Sequence, residues 1–281
     1  MKKQRNQSIL LKAIRKYYQL SQTSFAQLLD SSQSAVSKLE MGTLELSATQ
    51  WINLCREFSI NPHALLAGYI DYLPPKVGVD LRNLTKLGAF GVPEKYSSYN
   101  YSTVRAAWPI LSYFQEIYGE DRLESFITES GYEYEYFFIL SNPISLSFTN
   151  ELVNTLFKFK NFSEQNIKSI FINAEVNKIN SFIDSHIGRH ENFSSLMESF
   201  IPIIPKYFEM DSNYSLMGKK NNIIQIEDRP HLKEFQFNAE FVIFRQIYSL
   251  EFFQQMANYF LKNKPTLSLN LTQKVGWSIV C

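Results

Sequence analysis

Six residues between positions 22 and 38 carry polar groups suited to reading a nucleic acid: Gln22, Ser32, Gln33, Ser34, Ser37 and Lys38. Amides, hydroxyls and one ammonium exchange hydrogen bonds rather than attack carbon or move protons. A helix over 33–40 turns Ala35, Val36 and Leu39 inward. It leaves Gln33, Ser34, Ser37 and Lys38 outward, with almost no bulk on that side. Gln pairs with adenine through two hydrogen bonds, Lys donates to guanine, and the major groove admits a helix. Gln22 stands at the start of the preceding helix, where its amide and backbone N–H suit a phosphate. Ser32 caps the second helix, and Arg15 joins the set as a cation of the first.

Other chemistry finds less support. His186 and His190 are four apart and flanked by Asp184 and Glu191, a spacing that puts both imidazoles on one helix face, as a metal site needs. Gly188 lies between them and is a natural helix end, so a solvated terminus is the plainer reading. His63 and His231 have no partner in sequence. The ten glycines are scattered and form no phosphate loop, and no Gly-x-Ser-x-Gly elbow occurs. The expectation is a non-enzyme with no metal and no cofactor. An aromatic cluster, Tyr132, Tyr134, Tyr136, Phe137 and Phe138 with Trp108, suggests a ligand pocket with hydroxyls for orientation, against the alternative of plain core packing.

The elements that must hold the polar face are short helices. Ser21 to Gly42 reads as helix, turn, helix. The first helix runs from Gln22 to about Leu29 with Phe25, Ala26, Leu28 and Leu29 inward, the turn is Asp30–Ser31, and Gly42 closes the second in left-handed conformation. A helix opening at Asn6 or Ser8 precedes them, after a basic lead over residues 1–6. A helix begun by Ser47 or Ala48 presents Trp51, Leu54, Cys55 and Phe58, and a short one starts at Asn61-Pro62 and stops at Gly68. The paired prolines Pro74 and Pro75 mark an expected linker over residues 71–80. That divides the chain into a head, 1–70, and a body, 81–281.

The 281 residues are 45% hydrophobic and 15% aromatic, a core-forming composition. Residues 1–70 hold eight Lys and Arg against four acids. The head is therefore +4 and the remainder −3 within a chain of +1. Cys55 and Cys281 make neither a disulfide framework nor a zinc spacing. No signal-peptide pattern opens the sequence and no span of about 20 apolar residues occurs, so a cytoplasmic protein with no membrane partner is expected.

Residues 7–68 resemble the Cro/phage-repressor helix-turn-helix domain, the xenobiotic-response-element class of bacterial regulators. The likeness rests on Leu11, Arg15, Leu20-Ser21-Gln22, Phe25-Ala26, Ser32-Gln33-Ser34, Val36-Ser37-Lys38-Leu39-Glu40 and Gly42. The Trp51–Phe58 helix, Asn61-Pro62 and Leu65-Leu66 complete it. Asp30-Ser31 stands where the family has Gly then Val, and Glu45 lies in a loop that is often basic. The resemblance implies a five-helix domain, a pair between Arg15 and Glu40 beneath the recognition helix, double-stranded DNA as partner, and a homodimer.

The body reads as α+β, helices first and a small antiparallel sheet late. Helices are expected over Ser102–Tyr118, Asp121–Ser130, Ser147–Lys160, Ser163 to about Ile187, Phe193–Phe208, with Pro202 and Pro205 disturbing it, and Phe244–Leu261. Strands are expected over Asn222–Asp228, Glu234–Phe241, Thr266–Thr272 and Val275–Val280, the last two forming a hairpin around Gln273-Lys274. Tyr113–Phe157 resembles a segment of bacterial sensor domains related to vinyl-reductase-like and haem-nitric-oxide-like sensors. That likeness rests on Tyr118-Gly119, Leu123, Gly131-Tyr132, Tyr136, Pro143 and Ile144-Ser145-Leu146. Such relatives often hold metal with late cysteines, where this chain has Cys281 alone. The combination implies a regulator whose body dimerises and senses a small apolar or aromatic ligand. An antitoxin-like or scaffold protein, binding a partner polypeptide through its body, is the alternative.

Overall fold

Ser21, Ser32, Ser47 and Asn61 each accept a hydrogen bond from a backbone N–H two or three residues on, and each starts a helix. In the computed structural model, which describes residues 2–74, 90–158, 162–173, 187–188, 190–209, 211–218, 222–271 and 276–281, these are α2 (Gln22–Leu28), α3 (Gln33–Glu40), α4 (Ala48–Glu57) and α5 (Pro62–Leu66). The Ser47 cap is reciprocal: its hydroxyl accepts from Gln50 N–H while the Gln50 side chain accepts from Ser47 N–H. The first helix, α1, runs Lys2–Tyr17, so it opens within the basic lead and ahead of the expected Asn6 or Ser8. Lys, Gln and Arg favour helix, and no Pro or Gly interrupts them.

The chain forms two compact units, Met1–Ser97 with Glu124–Pro143, and Ser98–Leu123 with Ile144–Cys281. Of the expected linker, residues 75–80 lie outside the described residues. The stretch Glu124–Pro143, expected in the body, is part of the first unit. It packs there because Ile70 and Ile139 form a parallel bridge, with Ile70 N–H to Phe138 O and Leu140 N–H to Ile70 O both at 2.8 Å. Lys16 on α1 pairs with Glu133 and, at 3.4 Å, with Glu135. The first unit's core gathers Leu10, Leu11, Ile14, Phe25, Val36 and Leu39 with Ile70 and Ile139.

The second unit contains α6 (Val104–Tyr118), α8 (Leu146–Phe157), α9 (Glu164–Asn173), α10 (Phe193–Phe200), α11 (Ile204–Tyr207) and α12 (Ala239–Phe260), with α7 (Glu120–Glu129) placed between α6 and α8 in the chain. Ser145 caps α8. The two-residue strands β1 (Ser102–Thr103) and β2 (Pro143–Ile144) precede a four-stranded antiparallel sheet. Its strands are β3 (Ser212–Met217), β4 (Ile223–Asp228), β5 (Ser268–Leu271) and β6 (Trp277–Val280), in the order β3-β4-β6-β5. Ile224 faces Leu216 and Ile279, and Ile226 faces Tyr214 and Trp277, so one row of apolar side chains crosses the sheet. This row meets Phe200, Phe253 and Met256 in the core.

Parts of the body differ from these expectations, and parts lie outside the described residues. Glu234–Phe241 is not a strand: Phe235 N–H closes a turn on Leu232 O, and the Asn238 side chain accepts from Phe241 N–H at 2.7 Å to start α12. The alternation of that stretch serves ring packing instead, Phe235 on Phe237 and Phe237 on Phe241. The helix expected over Phe193–Phe208 is broken by Pro202 and Pro205 into α10, a 3-10 turn over Ile201–Ile203, and α11. Strand β3, whose SNYSLM sequence is mostly polar, is an addition to the expected sheet. Of the long helix expected from Ser163, the described part is α9; residues 174–186 lie outside the described residues, as does the Gln273-Lys274 turn.

Candidate nucleic-acid interface

Burial sorts α3 as its pattern requires. Val36 and Leu39 are buried at 1% exposure each, while Ser32, Gln33, Ser34 and Lys38 are exposed and Ser37 is half-buried. Ser32 Oγ accepts from Ala35 N–H at 3.1 Å, so this serine is engaged as the cap. The turn before α3 places Asp30 at φ 48°, and Gly42 follows α3 at φ 72°. Both left-handed positions stand where the sequence put them, the first on an Asp, a type that enters this region at modest cost.

Beneath the face runs a chain of side-chain hydrogen bonds. Arg15 Nε donates to Glu40 Oε1 at 2.5 Å and Arg15 Nη2 to Glu40 Oε2 at 3.0 Å, while Nη1 reaches Leu20 O at 3.1 Å. Gln22 Nε2 donates to the same Glu40 Oε2 at 2.9 Å, and Gln33 Nε2 donates to Gln22 Oε1 at 2.6 Å. The fork of Arg15 on the carboxylate is the pair that the family resemblance implies. It leaves Arg15 half-buried and committed to Glu40, away from the role of a direct DNA cation. Through Gln22 it fixes Gln33, the first residue of α3, whose second amide hydrogen and Oε1 are the two atoms that adenine recognition requires.

Residues 11–65 match the helix-turn-helix family model. The match supports a helix-turn-helix of the Cro/C1 type in this segment. It also supports a DNA-binding transcriptional regulator. No curated protein and no solved structure gives a significant match to the chain, and the likeness of Tyr113–Phe157 to bacterial sensor domains finds no support.

The other candidate residues fall elsewhere. Tyr132, Tyr134, Tyr136 and Phe137 are buried in the first unit. Tyr132 stacks on Tyr96, and the Tyr136 hydroxyl donates to Pro143 O at 2.6 Å. Phe138 packs at the edge of the helix-turn-helix core, and Trp108 lies on α6 of the second unit. None of these six lines the cavity found in the second unit. His186 lies outside the described residues, and the His190 ring bonds Ile187 O at 2.9 Å. Among the described residues no group of three His, Cys, Asp or Glu is placed to hold a metal ion, and no helix is long and apolar enough to cross a membrane. The sequence reading missed the bond of Gln22 to Glu40. The signal was available, since the carboxylate already paired with Arg15 has lone pairs to spare.

Proposed function

We propose that this protein is a transcriptional regulator that binds an operator as a homodimer, reads base edges with α3, and answers a small ligand held by its second unit. The observation that carries the reading is the hydrogen-bond chain from Arg15 through Glu40 and Gln22 to Gln33. It ties the first residue of an exposed polar helix to a buried ion pair and so orients that end of the helix. Gln33, Ser34, Ser37 and Lys38 face base edges, and Gln22, its side chain joined to Glu40 and Gln33, offers its backbone N–H at the start of α2 to a phosphate. One such helix covers one half-site, so two copies bind half-sites about 34 Å apart. A ligand acts by binding one arrangement of the two heads better than another.

The test is selection of duplexes from a random pool by the full chain, followed by titration of the enriched sequence. Gln33→Ala with Lys38→Ala is expected to weaken binding by about 1–3 kcal/mol per lost base contact and to leave unfolding unchanged. Equal affinity of the wild-type chain for every duplex refutes sequence reading. Sedimentation of the chain with the selected duplex tests the dimer: one protein copy per operator refutes it.

A further inference from the structure

The second unit holds a cavity of about 120 Å³ that is partly open to solvent. An apolar cavity of about 150 Å³ accepts benzene, so this one is sized for roughly a single ring. Phe208, Phe241, Phe244, Phe252, Phe253 and Trp277 contribute flat apolar wall. Two guanidinium groups share the lining. Arg105 is 1% exposed and lies over the Phe208 ring, and Arg245 lies over the Trp277 ring while donating to Asp228 Oδ1 at 2.7 Å.

The two carboxylates in this wall each accept from the chain's own donors. Glu209 accepts from the Tyr214 hydroxyl, from Asp211 N–H and, at 3.0 Å, from Ser212 N–H. Asp211 accepts from Ser102 Oγ at 2.6 Å and faces His231 Nε2 at 3.3 Å. Trp277, also in the wall, is 4% exposed, and its Nε1 has no hydrogen-bond partner among the described residues. A buried N–H left without an acceptor is costly, and an acceptor placed in the cavity removes the cost. Burial, and then the neighbouring Asp211, push Glu209 up to about 7, so near neutral pH this acidic pair carries less than its full negative charge and tolerates an anion nearby.

We propose that this cavity is a ligand site and that it takes a small, flat organic carboxylate, with its ring among the phenylalanines and its oxygens toward Trp277 Nε1 and Arg105. The inference rests on the reading of the second unit as a sensor, and it names the site and the ligand class. A carboxylate supplies the acceptor that Trp277 lacks and a charge opposite to the buried guanidinium. A protonated amine of the same size offers Trp277 Nε1 no acceptor and brings a charge of the same sign as the two guanidinium groups of the lining.

The full chain is titrated by calorimetry with benzoate, benzylamine and benzyl alcohol. Benzoate is expected to bind saturably and to raise the unfolding temperature. The other two are expected to bind at least tenfold more weakly. Trp277→Phe keeps a ring and removes the N–H. It is expected to weaken benzoate binding about tenfold or more while the ligand-free unfolding temperature holds or rises. Ser249→Leu, adding bulk to the wall on α12, is expected to abolish binding. Benzylamine or benzyl alcohol binding as tightly as benzoate overturns the proposal, as does benzoate binding unchanged in both variants, or absent in the wild type. Operator affinity measured with and without benzoate separates this site from the sensor reading. Benzoate bound with operator affinity unchanged keeps the site and refutes the sensor; no benzoate bound refutes the site and leaves the DNA-reading assignment standing.

Discussion

At the scale of single residues, Glu40 is the joint of the interface, since one carboxylate holds both Arg15 and Gln22. It is 4% exposed, so its charge has little water to fall back on. Glu40→Gln strips the pair of its negative half while keeping the shape, and is expected to destabilise the first unit by about 3 kcal/mol, the cost of leaving one partner of a buried pair alone. The double change Arg15→Met with Glu40→Leu removes both charges and is expected to recover most of that stability. It does not restore an acceptor for Gln22, so operator binding stays weak. Chemical denaturation and duplex titration on the same two variants separate the roles. If the double variant binds DNA like the wild type, the chain of hydrogen bonds does not position Gln33. Arg15 and Glu40 were legible in the sequence as a pair because family spacing places them; the Gln22 link was not, because it depends on two helices meeting at a given angle.

At the scale of elements, the sequence is most readable where a local rule settles the matter. Ser32, Ser47 and Asn61 cap the helices they precede, and Asp30 and Gly42 take the left-handed positions assigned to them. Ser32→Ala removes the acceptor for Ala35 N–H and is expected to cost about 1 kcal/mol, read as a lower denaturation midpoint with an unchanged slope. Legibility falls where ring packing imitates strand alternation, as in Phe235–Phe237, and where a polar strand such as Ser212–Met217 is defined by its partner β4. Gly276 shows the same dependence on distant chain. At φ 98° it is strained for any other residue, and an added Cβ would fall 2.1 Å from Ile226 O on β4. Gly276→Ala is thus expected to cost roughly 3 kcal/mol or more and to displace β6 from β4. Hydrogen exchange on the amides of β4 and β6 checks it; unchanged protection means the strands were not held by that approach.

At the scale of the whole molecule, the two units differ in how their stability answers pH. In the second unit, burial is the largest cause raising both Glu209 and Asp211, with Glu209 reaching about 7 from 4.5. The groups facing them are Tyr214, His231, Ser102 and the guanidinium of Arg245, whose donors and charge oppose the rise without cancelling it. A carboxyl raised on folding binds its proton more tightly folded than unfolded. Its effect on stability is therefore a loss as pH climbs from about 4.5 through about 7, and no further change above that. The shifted groups of the first unit are of another kind. Lys16 is held up by Glu133 and Glu135 in spite of its burial, and burial raises Tyr18 to about 12. Both act only in alkali, where stability is lost as pH rises past the ordinary lysine and tyrosine values, and burial of Tyr248 adds a similar loss to the second unit. The window between pH 4.5 and 7 therefore belongs to the second unit. The tryptophans divide the same way: Trp51 lies in the first unit, Trp108 and Trp277 in the second. Urea unfolding followed by fluorescence is expected to show the Trp51-only variant nearly flat across this window and the Trp108-only variant losing midpoint as pH rises. Glu209→Gln is expected to flatten that second slope whatever it does to the baseline. A Trp108 midpoint that climbs between pH 5 and 7 would mean that the acidic pair is ionised in the folded chain, and with it the room for an anion in the cavity would be gone.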